Sequence, residues 1–287
     1  MLRLRANEIS LAIEVPPMFG RDLRRNSTPE LSALIDGSNP QRAETIKQYA
    51  MGVHGAFLRD PQRAFGGKRT AVNTAEIQTR FLYNPTFESI YAIVPSVPAI
   101  LLVLIPAILM AVSVVREKEL GSITNFYVTP TTRIEFLLGK QMPYIAIGMI
   151  NYVMLVLMSI MVFGVPIKGS VLMLTLCALL YVTATTGIGL LISTFTSSQV
   201  AAVFITSIVT ILPTTQFSGL LQPVSTLQGN ARVFGSIWPT TYYMHASVGA
   251  FTKGLSARLL MGDALALACF VPVLIALATI ALQRQEK

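Results

Sequence analysis

The sequence predicts an α-helical membrane protein: five transmembrane helices plus a small N-terminal α/β extracytoplasmic domain. Three observations carry the prediction. Long stretches of the chain hold no charged residue at all: Ser89–Val115, Gln141–Ile167, Gly169–Ala231 and Ala264–Gln283. The composition is 53% hydrophobic and 13% charged, where an ordinary soluble domain carries about 25% charged residues. Residues 1–83 differ in kind, with 12 Lys/Arg, 8 Asp/Glu and no run long enough to span a bilayer. A helix crossing the hydrocarbon core needs about 20 apolar residues at ~1.5 Å rise each. The three shorter runs therefore hold one span each and the long one holds two.

The N-terminal part, residues 1–86, reads as a partial α/β domain. Glu8–Val15 alternates and is rich in branched residues, so it is a candidate strand, stopped by Pro16-Pro17. Ser32–Ile35 is a second short strand closed by the turn pair Asp36-Gly37. Pro40 then opens a helix over Gln41–Phe57, because proline suits the first helical turn. Gly66-Gly67 mark a loop, and Ala75–Leu82 is a third strand. The chain divides at about Tyr83-Asn84-Pro85.

Residues 87–287 form the transmembrane domain. Phe87, Ile90, Tyr91 and Val94 recur at helical spacing as an interfacial lead-in. Span one is expected over Ile93–Val115, with Pro95, Pro98 and Pro106 in or near it. Each proline frees a backbone carbonyl that a neighbouring helix or water must satisfy. Span two is expected over Met142–Gly164, span three over Ser170–Ser193, span four over Gln199–Leu221 and span five over Ala264–Leu282. The small residues of Thr183–Gly189 suit close helix packing. Asn151 is a mid-membrane amide expected to bond across helices.

The charge pattern orients the chain. The loop after span one carries Arg116, Lys118, Arg133 and Lys140, and the C-terminal tail carries Arg284 and Lys287. The positive-inside rule places both in the cytoplasm, which puts residues 1–92 and 222–263 on the outer side. An exported N-terminal domain needs a preceding apolar segment, and residues 1–30 hold none. The expectation is a chain that lacks its first span and starts at an internal methionine or a truncated reading frame.

Several function classes are disfavoured. The net charge of +8 forms no aromatic-interleaved stripe, so no nucleic acid is expected as a partner. Cys177 and Cys269 lie in apolar runs, and His54 and His245 stand far apart, so no metal is expected. No G-x-x-x-x-G-K-[ST] loop is present to cradle a nucleotide phosphate. No Asp or Glu lies inside the five expected spans, which argues weakly against proton- or sodium-coupled transport.

The loop reads Val115-Arg116-Glu117-Lys118-Glu119-Leu120-Gly121-Ser122-Ile123, then Val128-Thr129-Pro130, then Arg133-Ile134-Glu135-Phe136-Leu137-Leu138-Gly139-Lys140. This order resembles the signature region of type-2 ABC transporter permeases, the multidrug/polysaccharide-export class. Phe217-Ser218-Gly219 with Pro223, then Trp238-Pro239-Thr240-Thr241-Tyr242 and Lys253-Gly254, is similar to that family's re-entrant outer segment, here 217–262. Tyr83-Asn84-Pro85 is similar to the large-outer-domain subgroup, which has six spans, the first before the outer domain.

On the residues alone, Thr132 with Glu135 makes a capping box. Ile134, Leu137 and Leu138 then form the apolar side of a short amphipathic helix, with Arg133, Glu135 and Lys140 polar. Such a helix suits docking of a partner or lying in the lipid interface. The resemblance implies the former, with residues 116–140 receiving the motion of an ABC ATPase subunit and Glu117 and Glu119 as candidate salt-bridge partners for it. It also implies that the chain is no enzyme and holds no cofactor, ATP being used by the partner subunit. A second permease subunit, identical or different, would complete the path in the bacterial inner membrane, and a periplasmic adaptor is a further candidate partner. Phe217, Trp238 and Tyr242 are expected as anchors of the outer segment, with Gly219, Pro223, Pro239 and Gly254 breaking the chain where it closes an outer gate. The rival readings are a passive or ion-coupled membrane carrier and a non-transporting truncated remnant.

Overall fold

A computed structural model of the chain describes residues 4, 9–25, 30–59, 76–84, 88–121, 133–220, 224 and 227–283. The chain divides into two units, Met1–Ala92 and Ile93–Lys287. The Gly66-Gly67 loop, Phe87, Thr132, the Val128-Thr129-Pro130 turn and Pro223 lie outside the described residues, as do the side chains of Arg133 and Ile134.

In the first unit, β1 (Leu11–Glu14), α1 (Phe19–Arg24), β2 (Glu30–Asp36), α2 (Pro40–Arg59) and β3 (Glu76–Leu82) follow in order. The sheet order is β1-β2-β3. Leu11 lies opposite Ile35 in the antiparallel β1–β2 pair, and Ile35 lies beside Phe81 in the parallel β2–β3 pair. A parallel pair needs a crossover, and α2 supplies it. The turn between β2 and α2 is sequence-specific. Asp36 Oδ1 accepts from the Ser38 N–H at 3.1 Å. A Cβ on Gly37 would stand 2.8 Å from the Leu82 carbonyl oxygen, so no larger residue fits there without a shift. Asn39 accepts from the Arg42 N–H at 3.2 Å and starts α2 directly before Pro40. The three predicted strands and the helix are present, with β1 shorter than the alternation suggests. At the predicted division, Tyr83 adopts φ 70°, and the Asn84 side chain accepts from the Glu88 N–H and donates to the Glu88 carbonyl.

Among the described residues, the second unit is built on five helices long and apolar enough to cross a membrane. They are α3 (Ile90–Glu119), α4 (Arg133–Met161), α5 (Val171–Phe195), α6 (Gln199–Phe217) and α9 (Ala257–Gln283). Between the last two lie α7 (Asn230–Ile237), α8 (Pro239–Val248) and a π-helical turn, Gly249–Lys253. The α5 helix sits at the centre, with 56% of its apolar window buried against 17% for α9 and 22% for α4 and α6. It is started by Ser170, whose hydroxyl accepts from the Met173 N–H.

The packing of α3 on α5 answers the proline question. Pro106 lies inside α3 and leaves the Leu102 carbonyl without its usual helical donor. The Thr185 hydroxyl of α5 donates to that carbonyl at 3.0 Å. The two backbones approach closely there, because a Cβ on Gly189 would stand 2.2 Å from the Ala107 carbonyl oxygen. Gly187 on the same helix faces Leu274 of α9. The small-residue segment Thr183–Gly189 is thus a two-sided packing surface.

Three expectations are corrected. Residues 133–140 are not a separate short helix: α4 runs unbroken from Arg133 to Met161, through Gly139 and Pro143. The last span begins at Ala257, seven residues ahead of its charge-free run, so Asp263 is a carboxylate inside it. Asn151 Nδ2 is buried without a hydrogen-bond partner among the described residues, so it makes no bond across helices there.

Candidate functional site

Four helix ends meet where α3 stops and α4 starts. Residues Arg116–Glu119 form the last turn of α3, and each of the final three side chains reaches a different helix. Glu117 pairs with Lys140 of α4. The Lys118 ammonium donates to the Ser193 carbonyl at 2.7 Å and the Thr194 carbonyl at 3.2 Å, at the C-terminal end of α5. Glu119 accepts from the Gln199 backbone N–H at 2.8 Å and from the Gln199 side-chain amide, at the first residue of α6.

The signs match the backbone electrostatics. Helix C-termini carry partial negative charge and N-termini partial positive charge, so a cation and an anion suit those two ends. Ser198, the N-cap residue of α6, makes no side-chain cap bond, and the Glu119 carboxylate of another helix takes that place. Gln141 adds a buried link, its amide donating to the Thr183 carbonyl at 2.8 Å and to the Thr186 hydroxyl at 2.7 Å. A partly exposed pair such as Glu117–Lys140 stabilises by only about 0–1 kcal/mol. Its contribution is mainly register between α3 and α4.

The predicted residues of 116–140 divide into two groups. Arg116, Glu119 and Glu135 are exposed, with Leu120 at 69% and Leu138 at 39% exposure beside them. Leu137, expected on the docking side, is 2% exposed and packs inside with Met110, Val114, Leu190 and Ala278. The reason is geometric: α4 is continuous here, so its first turns share the bundle-facing stripe of the span behind them.

At the opposite end the segment 217–262 is seated on the spans. The Tyr181 hydroxyl donates to the Ala99 carbonyl at 2.7 Å and lies 2.9 Å from the Thr240 hydroxyl. Thr240 is 3.2 Å from Thr214, which accepts from the Trp238 indole at 3.1 Å. The rings of Tyr181 and Tyr243 stack with centroids 4.5 Å apart. The Ser247 hydroxyl donates to the Pro95 carbonyl at 2.6 Å. Pro239 is buried at the start of α8. Phe217 faces Phe234, and Tyr242 faces Phe270 while donating to the Ser236 carbonyl. Gly219 and Gly254 adopt φ of 90° and 61°, left-handed values that favour glycine.

The π turn forms the seam with the α4–α5 connection. Its Ala250 carbonyl accepts from the N–H groups of Lys168 and Gly169, at 3.0 and 2.8 Å. His245 Nδ1 and Asp263 Oδ2 are 2.7 Å apart and tie α8 to α9. Among the described residues no group of His, Cys, Asp and Glu is placed to hold a metal ion.

Sequence reasoning missed Gln199, Tyr181 and the His245–Asp263 pair. Ser198 is the stronger cap by residue type, so nothing local marked Gln199. The charge adjacency Lys118-Glu119 was the one available signal for the caps.

Comparison with known proteins adds an independent line. A family model described as ABC-2 family transporter protein matches residues 3–280. The chain is 31% identical over 253 residues to the probable multidrug ABC transporter permease YbhS of Escherichia coli (strain K12), covering 88% of this chain and 67% of that protein. It is 27% identical over 217 residues to the probable multidrug ABC transporter permease YbhR of the same strain, covering 76% and 58%. It is 25% identical over 257 residues to its inner membrane transport permease YhhJ, covering 88% and 67%. No solved structure matches.

Proposed function

This chain belongs to the ABC-2 family of transporter proteins, and from that membership we propose how it works as the membrane permease subunit of an ABC exporter. It is a multi-pass protein of the bacterial inner membrane. Family membership implies association with an ABC ATPase subunit. The finer reading is that the ATPase docks on residues 116–140 at the cytoplasmic face, and that ATP is bound and hydrolysed by that partner, with no cofactor in this chain.

One observation carries the docking site. The end of α3 and the start of α4 present Leu120 and Leu138 exposed among Arg116, Glu119 and Glu135. This is the mixed apolar and charged surface that a partner helix or groove recognises. A second permease subunit, identical or related as YbhS and YbhR are named separately, would complete the path. ATP binding and hydrolysis would bias the pair between inward- and outward-open arrangements. The segment 217–262, with Trp238 and Tyr242 as anchors, would close the outer side, and a periplasmic adaptor would meet the N-terminal domain. The names of the relatives point to drug-like cargo.

The test is affinity purification of the membrane-extracted protein beside a Leu138→Asp variant, with ATP hydrolysis measured on both. A co-purifying ATPase that is lost in the variant supports the site. Retention of the ATPase by the variant refutes the site, and a folded protein that brings no ATPase refutes the association.

A further inference from the structure

The Lys118 and Glu119 contacts lie inside the permease, where no docking partner is needed to explain them. They join neighbouring residues of α3 to opposite poles of consecutive helices. Lys118 holds the last carbonyls of α5, and Glu119 holds the first N–H of α6. Only residues 196–198 separate those two helices. The α6 helix is otherwise loosely packed, with only 22% of its apolar window buried. Its nearby apolar hold on α3 is the small cluster of Ala202 with Ala111 and Val115.

We infer that Lys118 is a positioning residue for coupling: with Glu119 and Gln199 it clamps the α5–α6 turn to the end of α3, so that motion received by residues 116–140 is delivered directly to α6. This rests on the reading of 116–140 as the ATPase dock. The clamp is polar and directional. A displacement of the α3 end carries the α5 terminus and the α6 start with it, whereas apolar contacts alone would let α6 slip. The Glu117–Lys140 pair and the Gln141 amide bring α4 into the same body.

The experiment uses the permease purified with its ATPase. A fluorescent thiol probe is placed at Val200→Cys, an exposed position one residue into α6, with the exposed Cys269 changed to alanine and the buried Cys177 retained. Probe emission is read before and after ATP with vanadate, and bound ATPase is quantified in the same samples. The expected result is an emission shift in the parent and in Lys118→Arg, and its loss in Lys118→Met with ATPase binding retained. Gln199→Leu, which keeps the backbone bond to Glu119, should give a reduced shift and serves in place of Lys118→Met if that variant is not monodisperse. A full shift in Lys118→Met or an undiminished one in Gln199→Leu overturns the clamp. A parent that binds ATPase but shows no shift also overturns it and leaves the dock standing. A parent that brings no ATPase overturns the dock and the clamp together.

Discussion

Gly189→Ala isolates what the close approach of α3 and α5 is worth. The added Cβ would stand 2.2 Å from the Ala107 carbonyl oxygen and 2.9 Å from two further Ala107 backbone atoms. Ordinary contact begins near 3.4 Å, so the two backbones must part by about 1.2 Å at this point. They cannot part freely, because the Thr185 hydroxyl holds the Leu102 carbonyl one turn away on α3. Overpacking of this kind costs about 1–3 kcal/mol, a roughly 5- to 150-fold change in the folded population.

The assay is heat treatment in mild detergent followed by fluorescence-detected size exclusion, with two matched glycines beside it. At Gly148 the new Cβ would meet Val182 Cγ1 at 2.5 Å, a side-chain atom that can rotate away. At Gly262 it would meet nothing within 4 Å, and the helix-propensity gain of about 0.5–1 kcal/mol is then unopposed. The order of stability should be Gly262→Ala first, Gly148→Ala next and Gly189→Ala last. A Gly189→Ala protein as stable as Gly262→Ala would refute the claim that the helices touch backbone to backbone there.

Other outcomes follow from the same contacts. Thr185→Val should destabilise by about 1–3 kcal/mol, since a buried carbonyl is left unsatisfied, and adding Pro106→Ala, which restores the helical donor, should recover part of the loss in a thermal double-mutant cycle. Leu137→Asp should prevent a monodisperse protein from forming at all, while Leu138→Asp should keep the fold and change only the recovery of ATPase on affinity resin. Asp263→Leu should loosen α8 from α9, read as faster reaction of a cysteine placed at Ser247 with a membrane-impermeant thiol reagent. An unchanged reaction rate would show that the His245 contact does not hold the segment.

The spans were legible because charge exclusion is a property of composition, written into each run of the sequence. The strands were legible for a similar reason, as alternation and turn residues such as Asp36-Gly37 act locally. The start of α9 was not, because a helix extends past its apolar part wherever the polar residues find partners, as Asp263 does in His245. The continuity of α4 was hidden because the amphipathic stretch Arg133–Lys140 and the apolar run after it differ in composition, although one helix runs through both. The 116–140 segment was singled out by motif, but the division of its residues into inward Leu137 and outward Leu138 required the bundle. The caps of Lys118 and Glu119 join positions about 80 residues apart in sequence, beyond the reach of any local pattern.

Four of the five spanning helices contain proline, and α5 alone contains none. The helices also differ in burial, and that difference sets where the protein can be re-engineered. A change on α4, α6 or α9 has an outward face on which to be absorbed, so single substitutions there can be screened one at a time. A change on α5 is felt by α3, α8 and α9 at once, so it succeeds only when several positions are altered together. Libraries aimed at new cargo should therefore randomise α4, α6 and α9 position by position and treat α5 as a single unit of variation.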